Sequence, residues 1–151
     1  MSHWNEKKSI ALSKIGVLLF MLLILAAAAA APWLVAWLVD YSQVYLAGKE
    51  PLFYLTLYTS CVPALLLLYE LYRLLQRISG GAVFTAENVK GLRRISWYAL
   101  LGSGICLASA LYYLLFVLIA FAAAFVGLIV RVVKNVFAQA VELQHEVDYT
   151  I

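Results

Sequence analysis

The order of apolar and polar positions divides the chain into long unbroken hydrophobic stretches joined by short charged connections. Three stretches stand out, at 15–39, 52–75 and 95–130. Each of the first two has the length of one membrane crossing, which takes about 20 apolar residues over a hydrocarbon core of ~30 Å. The third would run about 54 Å as a straight helix at ~1.5 Å per residue, too long for one crossing and just long enough for two. Positions 95–112 and 115–132 are therefore expected to form a tight hairpin, with a single long tilted helix as the alternative. Beyond 130 the pattern changes. Arg131, Asn135, Gln139, Glu142 and Glu146 recur at helical spacing opposite Val133, Phe137, Ala140 and Val141, which predicts an amphipathic helix over 131–147.

Charge gives the expected orientation, because Lys and Arg flanking a span stay on the cytoplasmic side. Lys7, Lys8 and Lys14 precede the first stretch, Arg73, Arg77, Lys90, Arg93 and Arg94 lie between the second and third, and Arg131 and Lys134 follow the last. Only Lys49 falls in the other connection, beside Asp40 and Glu50. The same sign at both ends of 95–130 favours the hairpin. Aromatic residues agree, since Trp and Tyr collect at the two interfaces. Trp33, Trp37, Tyr41, Tyr45, Tyr54, Tyr112 and Tyr113 are expected on the outer side, and Tyr69, Tyr72, Trp97 and Tyr98 on the inner one.

Composition makes lipid the natural solvent. The chain has 151 residues, 66% hydrophobic and 13% charged, with a formal net charge of +3. A soluble domain is about 45–50% apolar and about 25% charged, and a chain this long buries only about 70% of its surface. A charge of this size is no nucleic-acid footprint, and the topology rule already accounts for the basic residues. The Lys-bearing start and the alanines at 26–31 have some of the form of a signal peptide, but hydrophobicity continues through Val39, so a retained span is expected.

Local signals refine the outline. Residues 1–13 read as a polar lead-in with Trp4, Ile10 and Leu12 mixed among charges, and Pro32 should kink the first span after its alanines. At Pro63, mid-span, the missing backbone bond is expected to be met by Thr59 or Ser60. Gly80 and Gly81 should end the second span, and Thr85 should cap a third helix starting at Ala86, with Phe84 packing on Val89. Leu111–Phe116 must make the hairpin turn without Gly, Pro, Asn or Asp.

Candidate chemistry is sparse. Glu70 is the one acid inside a hydrophobic stretch, near the boundary and three residues from Arg73, which reads as an interfacial Glu70–Arg73 ion pair ahead of a proton relay. Cys61 and Cys106 lie within spans without CxxC or Cys/His spacing and read as packing thiols. Ser103 stands between Gly102 and Gly104 as small-residue helix packing, with His3 and His145 at opposite ends of the chain and no acid to activate it. No catalytic, cofactor or metal site is expected, and the chain is read as non-enzymatic.

One further pattern is specific. Phe84, Asn88-Val89-Lys90, Leu92-Arg93 and Ile95-Ser96-Trp97, then 127–137 from Gly127 through Arg131 to Phe137, and the closing Asp148-Tyr149-Thr150-Ile151, resemble domain-of-unknown-function family 2975, the YoaS-like small bacterial membrane proteins. The likeness covers essentially the whole chain. It implies a four-span inner-membrane protein, and members are often encoded beside a short helix-turn-helix regulator. Val147 departs from the family's usual ending, where an Asn is common.

The combined expectation is an all-α membrane protein, a single transmembrane domain over 1–151. Its four transmembrane helices lie at about 15–39, 52–75, 95–112 and 115–132, with a cytoplasmic loop at 76–94 and the fourth helix extending into a cytoplasmic amphipathic C-terminal helix. It would sit multi-pass in the bacterial inner membrane with both termini cytoplasmic. The expected role is a membrane-anchored interaction or regulatory partner, docking a cytoplasmic protein such as a small helix-turn-helix regulator through Phe84, Asn88, Lys90, Arg93, Arg131, Lys134, Asn135 and Asp148. A homo-oligomer is compatible with this. The alternative is a small oligomeric pore, a transporter accessory subunit or a self-immunity membrane protein.

Overall fold

The computed structural model describes residues 2–42 and 46–150, with side chains from Asn5 onward. His3 and Trp4 as side chains, Tyr45 and the terminal Ile151, all named above, lie outside that description. Every regular element among the described residues is helical: α1 (Ser2–Ala29), α2 (Ala31–Tyr41), α3 (Glu50–Ser79), α4 (Ala86–Ser109) and α5 (Phe116–Tyr149). Three of these helices are long and apolar enough to cross a membrane, over Asn5–Ala29, Glu50–Ser79 and Phe116–Tyr149.

The first apolar stretch differs from expectation at both ends. Its helix begins at Ser2, because residues 5–14 hold no Gly or Pro and extend the same backbone ladder. At Ala30 it breaks into two helices instead of bending as one. Pro32 is the cause: it has no N–H to offer the carbonyl four residues back, and its ring collides with that carbonyl. The carbonyl concerned belongs to Ala28, and it accepts a hydrogen bond from the Tyr58 hydroxyl on α3 at 3.2 Å. The proline break is thus satisfied by a neighbouring helix, as a lipid environment requires.

In α3 the proline acts differently. The helix runs through Pro63, which is buried. The Thr59 hydroxyl turns back to the carbonyls of Leu55 (2.5 Å) and Thr56 (3.2 Å), so it does not serve the bond that Pro63 leaves open.

Helices α3, α4 and α5 pack antiparallel in succession, and the side-chain pairs record the register. Between α3 and α4, Thr56 pairs with Ser109 (2.6 Å), Glu70 with Arg94 (2.7 Å) and Arg77 with Asn88 (2.6 Å), ascending one helix while descending the other. Between α4 and α5, Ser103 donates to the Ala120 carbonyl (2.7 Å) and Ser96 to the Gly127 carbonyl (3.0 Å). These serines sit two turns apart, as do their acceptors, so one face of α4 is laced to one face of α5. Ser103 is therefore a packing serine, as its small neighbours indicate. Without a hydrophobic drive in lipid, close approach at small residues and such interhelical bonds are what hold helices together.

The long apolar run does reverse, between Ser109 and Phe116. No turn-forming residue does this. Phe53 of α3, 4% exposed, gathers the rings of Tyr112 (5.1 Å between centroids), Tyr113 (5.4 Å) and Phe116 (6.0 Å). The Tyr112 hydroxyl also lies 2.5 Å from Thr56 Oγ1 and donates to the Leu52 carbonyl at 3.1 Å. Local backbone bonds close the turn, from Tyr112 N–H to the Ser109 carbonyl (3.2 Å) and from Phe116 N–H to the Tyr113 carbonyl (3.1 Å), and tertiary contact supports it in place of turn-forming residues.

The helices form an open row. Among the described residues, neither α1 nor α2 brings its backbone within 8 Å of α4 or α5. An apolar cavity of about 400 Å³ lies between the two halves, lined by Val35, Phe53, Cys61, Cys106 and Phe116 among others.

Candidate functional site

The polar chemistry of the chain concentrates at the end where α3 turns into α4 and past which α5 continues. Gly81 takes φ +90° after α3, a backbone conformation that favours glycine. Thr85 then caps α4, its hydroxyl accepting from the Asn88 amide at 3.3 Å. Asn88 is the node of the connection. Its side-chain amide donates to the carbonyls of Ala82 (2.8 Å) and Val83 (2.6 Å), while its oxygen accepts from Arg77 Nε at 2.6 Å.

Asn88 is wholly buried, which corrects its expected place in an exposed docking surface. An amide that satisfies two loop carbonyls and one guanidinium has no group left to present outward. The sequence expectation placed Asn88 in the docking face, and the structure buries it.

The ion pair is corrected as well. Glu70, 6% exposed, is bound by Arg94 of α4 at 2.7 Å, and not by Arg73. Arg73 lies over the Tyr69 ring instead, 5.9 Å from its centroid. The reason is the direction Glu70 faces: it is buried in the α3–α4 interface against Arg94, whereas Arg73 is exposed. Gly91, one turn before Arg94, lets the helices approach there, since a Cβ at Gly91 would stand 2.9 Å from an Arg77 terminal nitrogen and 3.8 Å from Glu70 Oε2. The hydrogen bond that Arg94 donates to Glu70, and then the Glu70 charge, hold the Arg94 guanidinium's pKa above its ordinary value. Arg94→Met is expected to lower the thermal midpoint of the detergent-purified protein more than Glu70→Gln. The first change strands a buried carboxylate, while the second leaves a half-exposed guanidinium that water can solvate. A thermal-shift comparison of the two variants checks the order.

The remaining predicted residues form a separate face. Phe84 meets Phe137 of α5 edge to face at 5.2 Å, and Phe137 in turn packs on the cluster of Leu74, Leu92 and Ile95. Arg131 lies over the Trp97 ring at 5.9 Å, and it shares a small recess with Arg93, Ser96 and Lys134. Asn135 and Lys90 are exposed, and Asp148 is exposed near the end of α5. The structure thus brings Arg93, Arg131 and Lys134 together around Trp97, and leaves Asp148 apart on the projecting helix. Arg77 was missed as a site residue. Its signal was available, since it stands one turn after Arg73 and faces a loop rich in backbone carbonyls.

Past the α3–α4 connection, α5 continues alone. Every described residue from Glu142 onward is exposed, including Leu143 (61%), Val147 (59%) and Tyr149 (89%). Among the described residues, no group of three His, Cys, Asp or Glu side chains is placed to hold a metal ion.

A family model described as Protein of unknown function (DUF2975) matches residues 4–151, essentially the whole chain, and the chain belongs to that family. Neither the curated proteins nor the solved structures contain a match to it.

Proposed function

We propose that this member of the DUF2975 family is a four-span, non-enzymatic protein of the bacterial inner membrane that docks a cytoplasmic protein partner, with both of its termini on the cytoplasmic side. The docking surface is the face around Phe84, Lys90, Arg93, Arg131, Lys134 and Asn135 together with the projecting end of α5 that carries Asp148. In this reading α1 with α2, α3, α4 and α5 each cross once. The up–down order then puts every Arg and every Lys except Lys49 on one side, in accord with the charge rule. Opposite them, α2 supplies the exposed interfacial rings Trp33, Trp37 and Tyr41. The apolar part of α4, 95–109, spans only about 22 Å at ~1.5 Å per residue. The turn bearing Tyr112 and Tyr113 makes up the remaining thickness.

The observation that carries the docking reading is the end of α5. This helix has 34 residues, about 51 Å at ~1.5 Å per residue, well beyond a ~30 Å hydrocarbon core. Its last turns expose Leu143 and Val147 one turn apart, on a helix end where every described residue from Glu142 onward is exposed. A solitary helical end in water is marginal, and burying an apolar stripe in a partner's groove is the usual way such an end is stabilised. Glu142, Glu146 and Asp148 flank the stripe, so a basic protein is the complementary partner. A small helix-turn-helix regulator, of the kind often encoded beside members of the family, is the candidate that the resemblance suggests.

Two tests apply. In a chain with Cys61→Ala and Cys106→Ala, Leu114→Cys is expected to react with an impermeant maleimide in intact cells and Gln139→Cys only after permeabilisation. The opposite pattern overturns the orientation. Leu143→Ser with Val147→Ser is expected to abolish partner binding in native membranes while leaving the thermal midpoint unchanged, because neither residue packs on the body. Undiminished binding overturns the docking reading.

A further inference from the structure

We propose that the cleft between α3 and α4, at the end where the two helices are joined, binds a phosphate-bearing anion. Arg73 and Arg77 stand one turn apart on α3, and Lys90 and Arg94 one turn apart on α4. The antiparallel register brings all four to one polar cleft of about 200 Å³, together with Glu87. Glu70 neutralises part of Arg94 from beneath, and Glu87 contributes one negative charge at the rim. Counting both acids, the cations remain in excess. No carboxylate lies within ion-pairing distance of Arg73, Arg77 or Lys90 among the described residues.

Three features mark the cleft as built for an anion. Like charges one turn apart on a helix repel, and here two such pairs face each other across an interface, an arrangement that a bound anion relieves. Two of the guanidiniums are held in place: Arg77 by its Nε bond to Asn88, and Arg94 by its bond to Glu70. Each keeps further N–H donors for a ligand, and a fixed planar fork matches phosphate oxygens well. Gly91 supplies the room, because a side chain there would meet the Arg77 terminal nitrogen at 2.9 Å. The charge rule for topology puts basic residues on one side of the membrane without asking them to converge. Arg93, Arg131 and Lys134 satisfy it from a different recess.

The ligand chemistry is a phosphate group with net negative charge, from an anionic lipid headgroup or from a free phosphorylated compound. Headgroup depth follows from the proposed topology, whereas binding itself does not depend on it. The test uses the purified full-length chain. One arm titrates inorganic phosphate and pyrophosphate into protein in uncharged detergent, following heat and thermal midpoint. The other compares lipid retained by protein from nanodiscs of phosphatidylcholine with about one-fifth phosphatidylglycerol, read by native mass spectrometry.

Saturable binding in either arm is expected. It should weaken about tenfold in Arg73→Gln with Lys90→Gln, and less than about twofold in Arg93→Gln with Arg131→Gln, which removes the same charge outside the cleft. Neither Arg73 nor Lys90 carries a hydrogen bond of the fold, and removing them relieves like-charge repulsion, so the unliganded midpoint of the first variant should equal or exceed that of the wild type. Gly91→Ala should weaken binding too by displacing Arg77. Binding by pyrophosphate alone assigns a soluble ligand, and retention of phosphatidylglycerol alone assigns a lipid. Equal losses in the two double variants, or no saturable binding in either arm, overturn the site. Maleimide labelling of the opposite orientation would remove the proposed topology and leave this result standing.

Discussion

Asn88→Ala is expected to lower the stability of the detergent-purified protein by about 3 kcal/mol, since each buried polar group left unpaired costs about 1–3 kcal/mol. The substitution orphans the carbonyls of Ala82 and Val83 and releases Arg77 Nε at once. Water entering the loop recovers part of this, which keeps the figure below the full sum. For a chain of this size about 3 kcal/mol corresponds to a midpoint lower by roughly 6–12 °C. Asn88→Asp separates chemistry from volume. It keeps the shape but turns a carboxylate oxygen toward the two carbonyls, so it should cost at least as much as alanine. If Asn88→Asp were neutral, the two amide bonds would not be what holds the connection between α3 and α4.

Gly127→Leu is the second large effect, and it acts on the α4–α5 hairpin. A Cβ at this position would stand 3.2 Å from Leu100 Cγ and Cδ2 and 3.4 Å from the Ala99 Cβ, so alanine already strains the contact. A leucine has to push the helices apart, stretching the bond from Ser96 to the Gly127 carbonyl at the same place. Overpacking typically costs about 1–3 kcal/mol, and the lost interhelical bond adds about 0.6 kcal/mol, giving about 3 kcal/mol in all. Gly91→Ala should be much milder for stability, because the atom it meets is the free end of an arginine side chain that can swing away. Midpoints for Gly127→Ala, Gly127→Leu and Gly91→Ala, measured side by side, check the ranking.

Much of this fold was legible in the residues, for identifiable reasons. Apolar length and the placement of Arg93, Arg94, Arg131 and Lys134 located the hairpin, because lipid forces backbone groups to bond internally and leaves few architectures. Thr85 was readable as a cap because capping is local. The break at Ala30 was only half legible: Pro32 announces a distortion, but whether a helix bends or splits depends on what receives the freed carbonyl, here Tyr58 from thirty positions away. The turn at 110–115 was not legible as a turn, since no turn-forming residue marks it and the rings that support it pack on Phe53 of another helix.

At the candidate site, residue type was readable and direction was not. Glu70 invited pairing with Arg73, its neighbour on the same helix, and only the α3–α4 register reveals Arg94. The same register hid the convergence of Arg73, Arg77, Lys90 and Arg94, because positions on two helices acquire a common face only once the helices are docked. Most of the polar residues that a pore reading would draw on have other work. Thr56, Thr59, Ser103 and Ser109 spend their hydroxyls on neighbouring helices or their own backbone, while Ser60 Oγ is buried without a hydrogen-bond partner among the described residues.

The most direct measurement of the docking proposal is quantitative cross-linking and mass spectrometry on tagged protein in its native membrane, comparing the full chain with a chain ended after Phe137. The account predicts one stoichiometric cytoplasmic partner, cross-linked to residues near Leu143 and Val147, present with the full chain and lost with the shortened one. Recovery of the protein alone, or of the same partner from both chains, would contradict it.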